Sequence, residues 1–314
     1  MTPRRTLIVK LGAPGDVVRT TPLLRALKGR VTWVTSPESA SLLPRNGRLE
    51  VLTPDRAARL SGRRYDLVLC LDDDGAAARI AALPRARKHV GARLGSDGVL
   101  GYTADSRSWF DMSLISRLGR TKADRLKLAN RRSWQEHLFG MAGLRYDGEE
   151  YWIRRPKRLP RAGRRIVGLE TRAGERWPIK RWPRYGELER ALRAHGTRTL
   201  RFTWKKDIPS HAAAVDRCDV VVCGDTLTMH LALALGKKVV ALFLCTPPAE
   251  IEDYGRLVKV VSPVLKRHLY SRRGDRRAAG AIPVAPVLSE VLTALDQLSP
   301  RYSGSRRPTS RASE

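Results

Sequence analysis

The chain has 314 residues, 60 Lys and Arg against 31 Asp and Glu, and a formal net charge of +29. At roughly 150 residues per domain the length suggests two domains, and 42% apolar residues supply two packed cores, which excludes a wholly disordered chain and a small disulfide scaffold. No uninterrupted apolar run approaches the roughly 18 residues of a membrane span, and the basic Met1–Arg5 stretch leads into a strand pattern rather than the apolar core of a signal peptide, so the expected location is the cytosol.

The predicted elements alternate along the chain. Residues 6–10 form a short apolar run, read as a strand. The loop Gly12-Ala-Pro-Gly15-Asp16 follows, then a helical pattern through Leu23, Leu24 and Leu27. β-Branched and aromatic content predicts a strand over 31–35. Residues 36–43 suit a short helix, and 49–52 and 66–71 are further strands, the second bounded by Asp72-Asp-Asp74. Strands alternating with helices indicate βαβ units on a parallel sheet. Residues 95–130 are rich in Gly, Ser and Arg and show no regular pattern. Residues 133–142 read as a helix opened by a capping box, with Ser133 at the cap and Glu136 three residues later. The stretch 154–165, with prolines, a glycine and many basic residues, reads as a linker. The pattern then restarts, with strands over 166–170, 199–202, 220–223 and 239–244 and helices over 182–195, 226–235 and 284–298. The domains expected are therefore 1–153 and 166–299, joined by 154–165. Residues 300–314 form a basic tail without apolar periodicity, expected to be disordered.

Cys70, Cys218, Cys223 and Cys245 form no C-x-x-C pair and adjoin apolar runs, so buried free thiols are expected and no zinc site. The positive field attracts anions such as nucleic acid, anionic membrane or a phosphorylated substrate, or it is an arginine-rich surface with no particular partner. No nucleic-acid motif and no aromatic-interleaved patch is present, so no nucleic-acid partner is expected.

Two loops carry the candidate chemistry. Gly12-Ala-Pro-Gly15-Asp16 follows the first strand, where doubly wound sheets bind ligands. It is neither a dinucleotide fingerprint nor a P-loop. Asp16 either caps the helix or points into a cleft as a general base, within reach of a hydroxyl. Cys223-Gly-Asp225-Thr-Leu-Thr-Met-His230 follows the buried run Val220-Val-Val222 and opens a helix whose N-terminus suits phosphate. Thr226 and Thr228 add hydroxyls. Asp225 either caps this helix or accepts from a sugar hydroxyl, and His230 is either a packed residue or part of a site.

These segments carry a resemblance. Ile8-Val-Lys10-Leu-Gly-Ala-Pro-Gly15-Asp16-Val-Val-Arg-Thr20-Thr21-Pro22 resembles the N-terminal signature of the lipopolysaccharide heptosyltransferases, glycosyltransferase family 9. Cys218 to Gly236 resembles the same family's donor-binding signature, and Arg176-Trp177-Pro178-Ile-Lys180-Arg181-Trp182-Pro183 a third segment. The resemblance implies an α/β GT-B fold, two facing Rossmann-like domains with an interdomain cleft. It implies an inverting glycosyltransferase that uses no metal and no cofactor. Such an enzyme moves a heptose from a nucleotide-sugar, ADP-heptose for the family, to a hydroxyl of a lipopolysaccharide-core or other glycan acceptor. Asp16 maps onto the family's catalytic base. Thr171, Arg176, Lys180, Asp225, Thr226, Leu227, Thr228, Met229 and His230 fall on the donor side. Gly15, Arg19 and Thr20 lie beside Asp16 and are placed on the acceptor side by that proximity. In a metal-free transfer, Lys180 first and Arg176 second would face the leaving diphosphate, although both also suit a solvated basic face. The basic surface would dock on an anionic membrane, placing the protein peripherally on the inner face of the plasma membrane.

The chain departs from the family pattern at three places. Leu227 stands where Asp-Thr-Gly has its glycine, Leu244-Cys-Thr-Pro247 replaces Gly-Pro-Thr, and the 203–210 segment is short. These departures leave open a transferase of another nucleotide-sugar, or a GT-B-fold binding protein with weak catalysis.

Overall fold

The structure is a computed structural model and describes residues 4–159, 165–203 and 207–298. The tail over 300–314 and residues 160–164 of the linker stretch lie outside the described residues. The first half builds a six-stranded sheet from β1 (Arg5–Val9), β2 (Arg30–Val34), β3 (Leu49–Leu52), β4 (Arg64–Cys70), β5 (Arg85–Leu94) and β6 (Leu100–Tyr102). Its order is β3-β2-β1-β4-β5-β6, parallel except for β6, which runs antiparallel to β5. The second half builds an all-parallel five-stranded sheet from β7 (Ile166–Leu169), β8 (Arg198–Arg201), β9 (Val220–Gly224), β10 (Lys238–Phe243) and β11 (Leu257–Val261), in the order β11-β10-β9-β7-β8. The protein is thus α/β with two doubly wound, Rossmann-like domains.

Continuous apolar runs mark the central strands because both sheet faces are covered. Val220 and Val222 enter one core with Leu169, Leu188 and Val291. Val221 and Cys223 enter the other with Phe202, Met229 and Phe243. That second core also takes in Val18, Leu42, Tyr151 and Ile153 from the first half, so apolar packing crosses between the halves. All four cysteines are buried and free.

Several sequence expectations need correction. The 95–130 region is partly regular: β6 and a helix over Arg120–Ala129 lie within it. Strand β5 was not predicted. Its first half, with Arg85, Arg87 and Lys88, is exposed, so it lacks the apolar run of a central strand. Edge strand β11 and the helix Gly75–Ala81 were likewise not predicted. The helix expected from 182 starts at Tyr185, because Trp182 and Pro183 belong to the preceding turn and Trp182 Nε1 donates to the Ile282 carbonyl at 3.0 Å. Arg276–Asp296 is long and apolar enough by composition to cross a bilayer. It consists of two helices, Arg276–Ala279 and Val284–Asp296, and Val287, Val291 and Leu295 pack on the second sheet.

Candidate active site at the cleft between the two sheets

In each sheet the chain reverses its direction of travel at one point, and ligands bind outside the carboxyl ends of the strands at such a switch. In the first sheet that point lies between β1 and β4, in the second between β7 and β9. The residues just beyond these strand ends are Lys10 and Asp72 on one side, Glu170 and Asp225 on the other.

Lys10 and Asp72 form a buried ion pair, and Asp72 also accepts from the Leu11 amide. Lys10 Nζ donates to the Gly12 carbonyl at 2.6 Å, which ties down the loop before the helix Pro14–Thr20. That helix begins at Pro14, with Ala13 at the cap, so Asp16 sits inside its first turn and does not cap it. The Asp16 side chain remains 45% exposed. Its carboxylate lies 3.9 Å from Lys10 Nζ and 3.6 Å from Arg19 Nη1. Desolvation opposes its charge, but Lys10, Arg19 and His230 outweigh it and hold its pKa below the usual carboxylate range. Lys10 is affected in reverse: burial works against its charge, Asp16 and Asp72 outweigh burial, and its pKa is raised.

On the facing side, Thr226 caps the helix Leu227–Ala234 by backbone position alone. Asp225 does not cap it either. Its carboxylate takes Lys180 Nζ at 2.9 Å and Thr246 Oγ1 at 2.7 Å, and Lys180 also donates to the Asp225 carbonyl at 2.7 Å. Burial disfavours the Asp225 charge, but Lys180, His230 and these hydrogen bonds prevail, and the carboxyl is held well below its usual range. His230 is buried, with Nδ1 3.2 Å from the Tyr151 hydroxyl and Nε2 3.9 Å from Asp225. Burial, only partly offset by Asp225, pushes its pKa down to about 4, so the ring is neutral at physiological pH.

The two sides meet at Gly15. A Cβ on this residue would lie 2.9 Å from His230 Cδ2 and 3.5 Å from Leu227 Cα. Glycine is required there by close approach, and it lets the Pro14–Thr20 helix lie against the N-terminus of the Leu227–Ala234 helix.

The structure thus brings Gly15, Asp16, Arg19, Lys180, Asp225, Thr226, Leu227 and His230 into one region. Other predicted residues are placed differently. Thr20 is fully buried, its hydroxyl donating to the Asp16 carbonyl at 2.8 Å and accepting from Trp134 Nε1 at 3.3 Å. Thr228 turns inward, where its hydroxyl donates to Glu170 at 2.9 Å and meets His211 at 2.8 Å. Met229 is fully buried in the core. Arg176 is exposed and lies over Trp177, 5.4 Å from the ring centroid. Thr171 follows Glu170 in the loop after β7 and is partly exposed. Sequence reasoning named neither Asp72 and Glu170 nor Tyr151 and Thr246 as site residues. The first two carried a readable signal, a carboxylate at the end of a predicted strand or directly after it. The last two carried none, because they reach the site only through tertiary packing.

Comparisons with known proteins bear on this arrangement. Residues 205–276 match glycosyltransferase family 9 (heptosyltransferase), a span that contains the Asp225–His230 segment. No curated protein matches the sequence. The fold resembles that of a family 9 glycosyl transferase from Veillonella parvula, with a TM-score of 0.63 and 16% identity over 94% of this chain and 98% of that one. It also resembles the E. coli heptosyltransferase WaaC with ADP, at a TM-score of 0.60 and 16% identity over 92% and 99%. E. coli ADP-heptose lps heptosyltransferase II gives 0.54 and 16% over 93% and 99%. The chain therefore has the GT-B-like architecture of these proteins, and its second half carries the family 9 sequence pattern.

Proposed function

We propose that the protein is an inverting glycosyltransferase that moves a heptose from ADP-heptose to a hydroxyl of a lipopolysaccharide-core or similar anionic glycan. The observation that carries this reading is the meeting of the two switch points: Asp16 of one half stands beside the phosphate-suited helix N-terminus and His230 of the other. Inverting transfer is one in-line displacement at the anomeric carbon. Asp16, held ionised and partly open to solvent, takes the proton from the attacking hydroxyl. Charge developing on the leaving diphosphate is met by the free N–H groups that open the Leu227–Ala234 helix. Lys180 neutralises Asp225 at the same strand end, so that end does not repel the diphosphate. Neutral His230, fixed by Tyr151, offers a hydrogen-bonding ring edge without adding charge. No metal and no cofactor take part in this reaction.

On the acceptor side, a hollow of about 890 Å³ lies along edge strand β3, between the segment that follows β2 and the residues on either side of β3, and is lined by Arg45, Arg56 and Arg154 among others. Strands spaced roughly 5 Å apart put it about two strands from Lys10, a suitable distance for the anionic groups of an extended acceptor. The protein would work on the cytoplasmic side, with its +29 charge drawing it to an anionic membrane surface.

A second reading, a binding protein of this fold with weak catalysis, is favoured by the engagement of Lys180 with Asp225 and by the Leu227 side chain beside the helix N-terminus. Thermal stability with ADP, UDP, GDP, CMP and NAD at fixed salt separates the two. A ligand that binds only the folded state stabilises by roughly 2.7 kcal/mol at a hundred times its dissociation constant. Selective stabilisation by ADP, lost in Lys180→Ala, is expected. Equal small shifts with every anion would favour the binding protein.

A further inference from the structure

The cleft contains a buried charge cluster that the proposed reaction does not use. Glu250 lies in the turn Pro248–Glu250 after β10, and its carboxylate enters a socket formed by the other half. Lys127 Nζ lies 2.8 Å from Oε1, and Arg19 Nη2 lies 3.8 Å from Oε2. The Lys127 ammonium sits 3.7 Å from the Trp109 ring centroid, and the Arg19 guanidinium covers Trp109 and Trp134 at 5.6 and 5.1 Å. Two cations and one carboxylate are thus almost fully withdrawn from water. Desolvating them is costly, and apolar side chains of the same volume would hold the halves together at least as well. Adhesion alone therefore does not account for the cluster. The far edge of the Arg19 guanidinium supplies the reason, with Nη1 3.6 Å from Asp16 Oδ1. Arg19 Nη2 makes no hydrogen bond, so the Glu250 charge and the two indoles set where the guanidinium lies.

We propose that Glu250 is a positioning residue for Asp16: docked against Lys127, it holds Arg19 where the guanidinium aims the Asp16 carboxylate at the acceptor hydroxyl. The inference rests on the reading of Asp16 as the base. Only Asp16 meets the acceptor, and Glu250 acts through Arg19. Because Glu250 and Asp16 belong to different halves, the arrangement exists only while the halves are together. The aim of the base is thereby coupled to closure of the cleft.

The test uses the full chain as wild type, Glu250→Gln, Lys127→Met, the double variant and Glu250→Asp. Three quantities are read: radius of gyration by solution X-ray scattering, ADP affinity by calorimetry, and ADP release from ADP-heptose with water as acceptor. Each charge-removing single variant is expected to enlarge the radius of gyration. It should slow ADP release about tenfold or more, as small misplacements of a catalytic group do, without changing ADP affinity. The double variant should be no worse than Glu250→Gln, since partners in one interaction are not additive, and Glu250→Asp should recover part of the rate. Wild-type dimensions and rate in both single variants would overturn the proposal, as would strictly additive losses in the double. If Glu250→Gln does not fold, Lys127→Met breaks the same pair from the other side and is read in the same way. If the wild type binds ADP but releases none from ADP-heptose, the base reading fails and the positioning role fails with it. An enlarged radius in the variants would then still report the docking.

Discussion

Asp16 is held ionised by two cations of its own half, and this has a kinetic consequence. Its pKa lies below the ordinary 3.8, so the ionised base persists as pH falls. Transfer should therefore stay level as pH falls through the ordinary carboxylate range, with the acid limb displaced to lower pH than an unperturbed aspartate would give. Asp16→Asn keeps the shape and removes the base. It should lower the transfer rate by about 10²–10⁴ while leaving ADP binding intact. An Asn variant with wild-type rate would remove Asp16 from the chemistry. His230 makes stability depend on pH as well. Its folded pKa of about 4 lies below the ordinary 6.5, so between these values the unfolded chain binds the extra proton. Stability is therefore lost as pH falls from about 6.5 toward about 4, by about 2 kcal/mol between pH 7 and 5 from this residue. Urea unfolding at the two pH values, on wild type and His230→Asn, measures it. An unchanged pH slope in the variant would show that His230 is not the group responsible.

At the scale of elements, two helix N-termini meet across the cleft, and one missing side chain permits the contact. Alanine at position 15 is a better helix former than glycine by about 1 kcal/mol, yet its Cβ would press on the buried His230 ring. Gly15→Ala should therefore reduce transfer more than thermal stability, and paired rate and melting measurements on the one variant test this. A full loss of rate with no loss of stability would place the strain in the site, whereas an unaffected rate would mean that His230 yields freely. Other elements were legible before the fold was known. The helix Trp134–Ala142 has the expected capping box of Ser133 and Glu136, and Gly143 takes a left-handed conformation at its end. Strand β5 was not legible. It lies beyond β4 toward the sheet edge and carries cations on its exposed half, so its apolar signal is short.

For the whole molecule, the salient feature is a core that does not stop at the domain boundary. Val18, Leu42, Tyr151 and Ile153 pack into the core of the second sheet, and the Arg256–Glu150 pair at 2.6 Å joins the same surfaces. Two halves sharing apolar packing should melt together. Calorimetry is expected to show a single cooperative transition, with equal calorimetric and van't Hoff enthalpies. Two separated peaks would show that the halves are independent bodies held by ligand alone. The GT-B-like arrangement thus rests on apolar packing shared by the two halves, with the polar and charged groups of the cleft beside it.

The amino-acid pattern alone set the alternation of strands and helices, because apolar periodicity and turn residues are local and each element must bury its own face. It also determined both signature loops, because a Gly-Asp or an Asp-Thr just after a buried run marks the carboxyl end of a strand wherever that strand lies. What those carboxylates do depended on the packed fold. Both Asp16 and Asp225 were open to a capping role: Asp16 lost it because its helix already starts at Pro14, and Asp225 because Lys180 and Thr246, distant in sequence, take its carboxylate. Likewise Thr228 and Met229 stand within the donor signature, yet the helix turns their side chains into the core. Spacing along a chain fixes which side chains share a helix face, but the direction that face points depends on what packs against it.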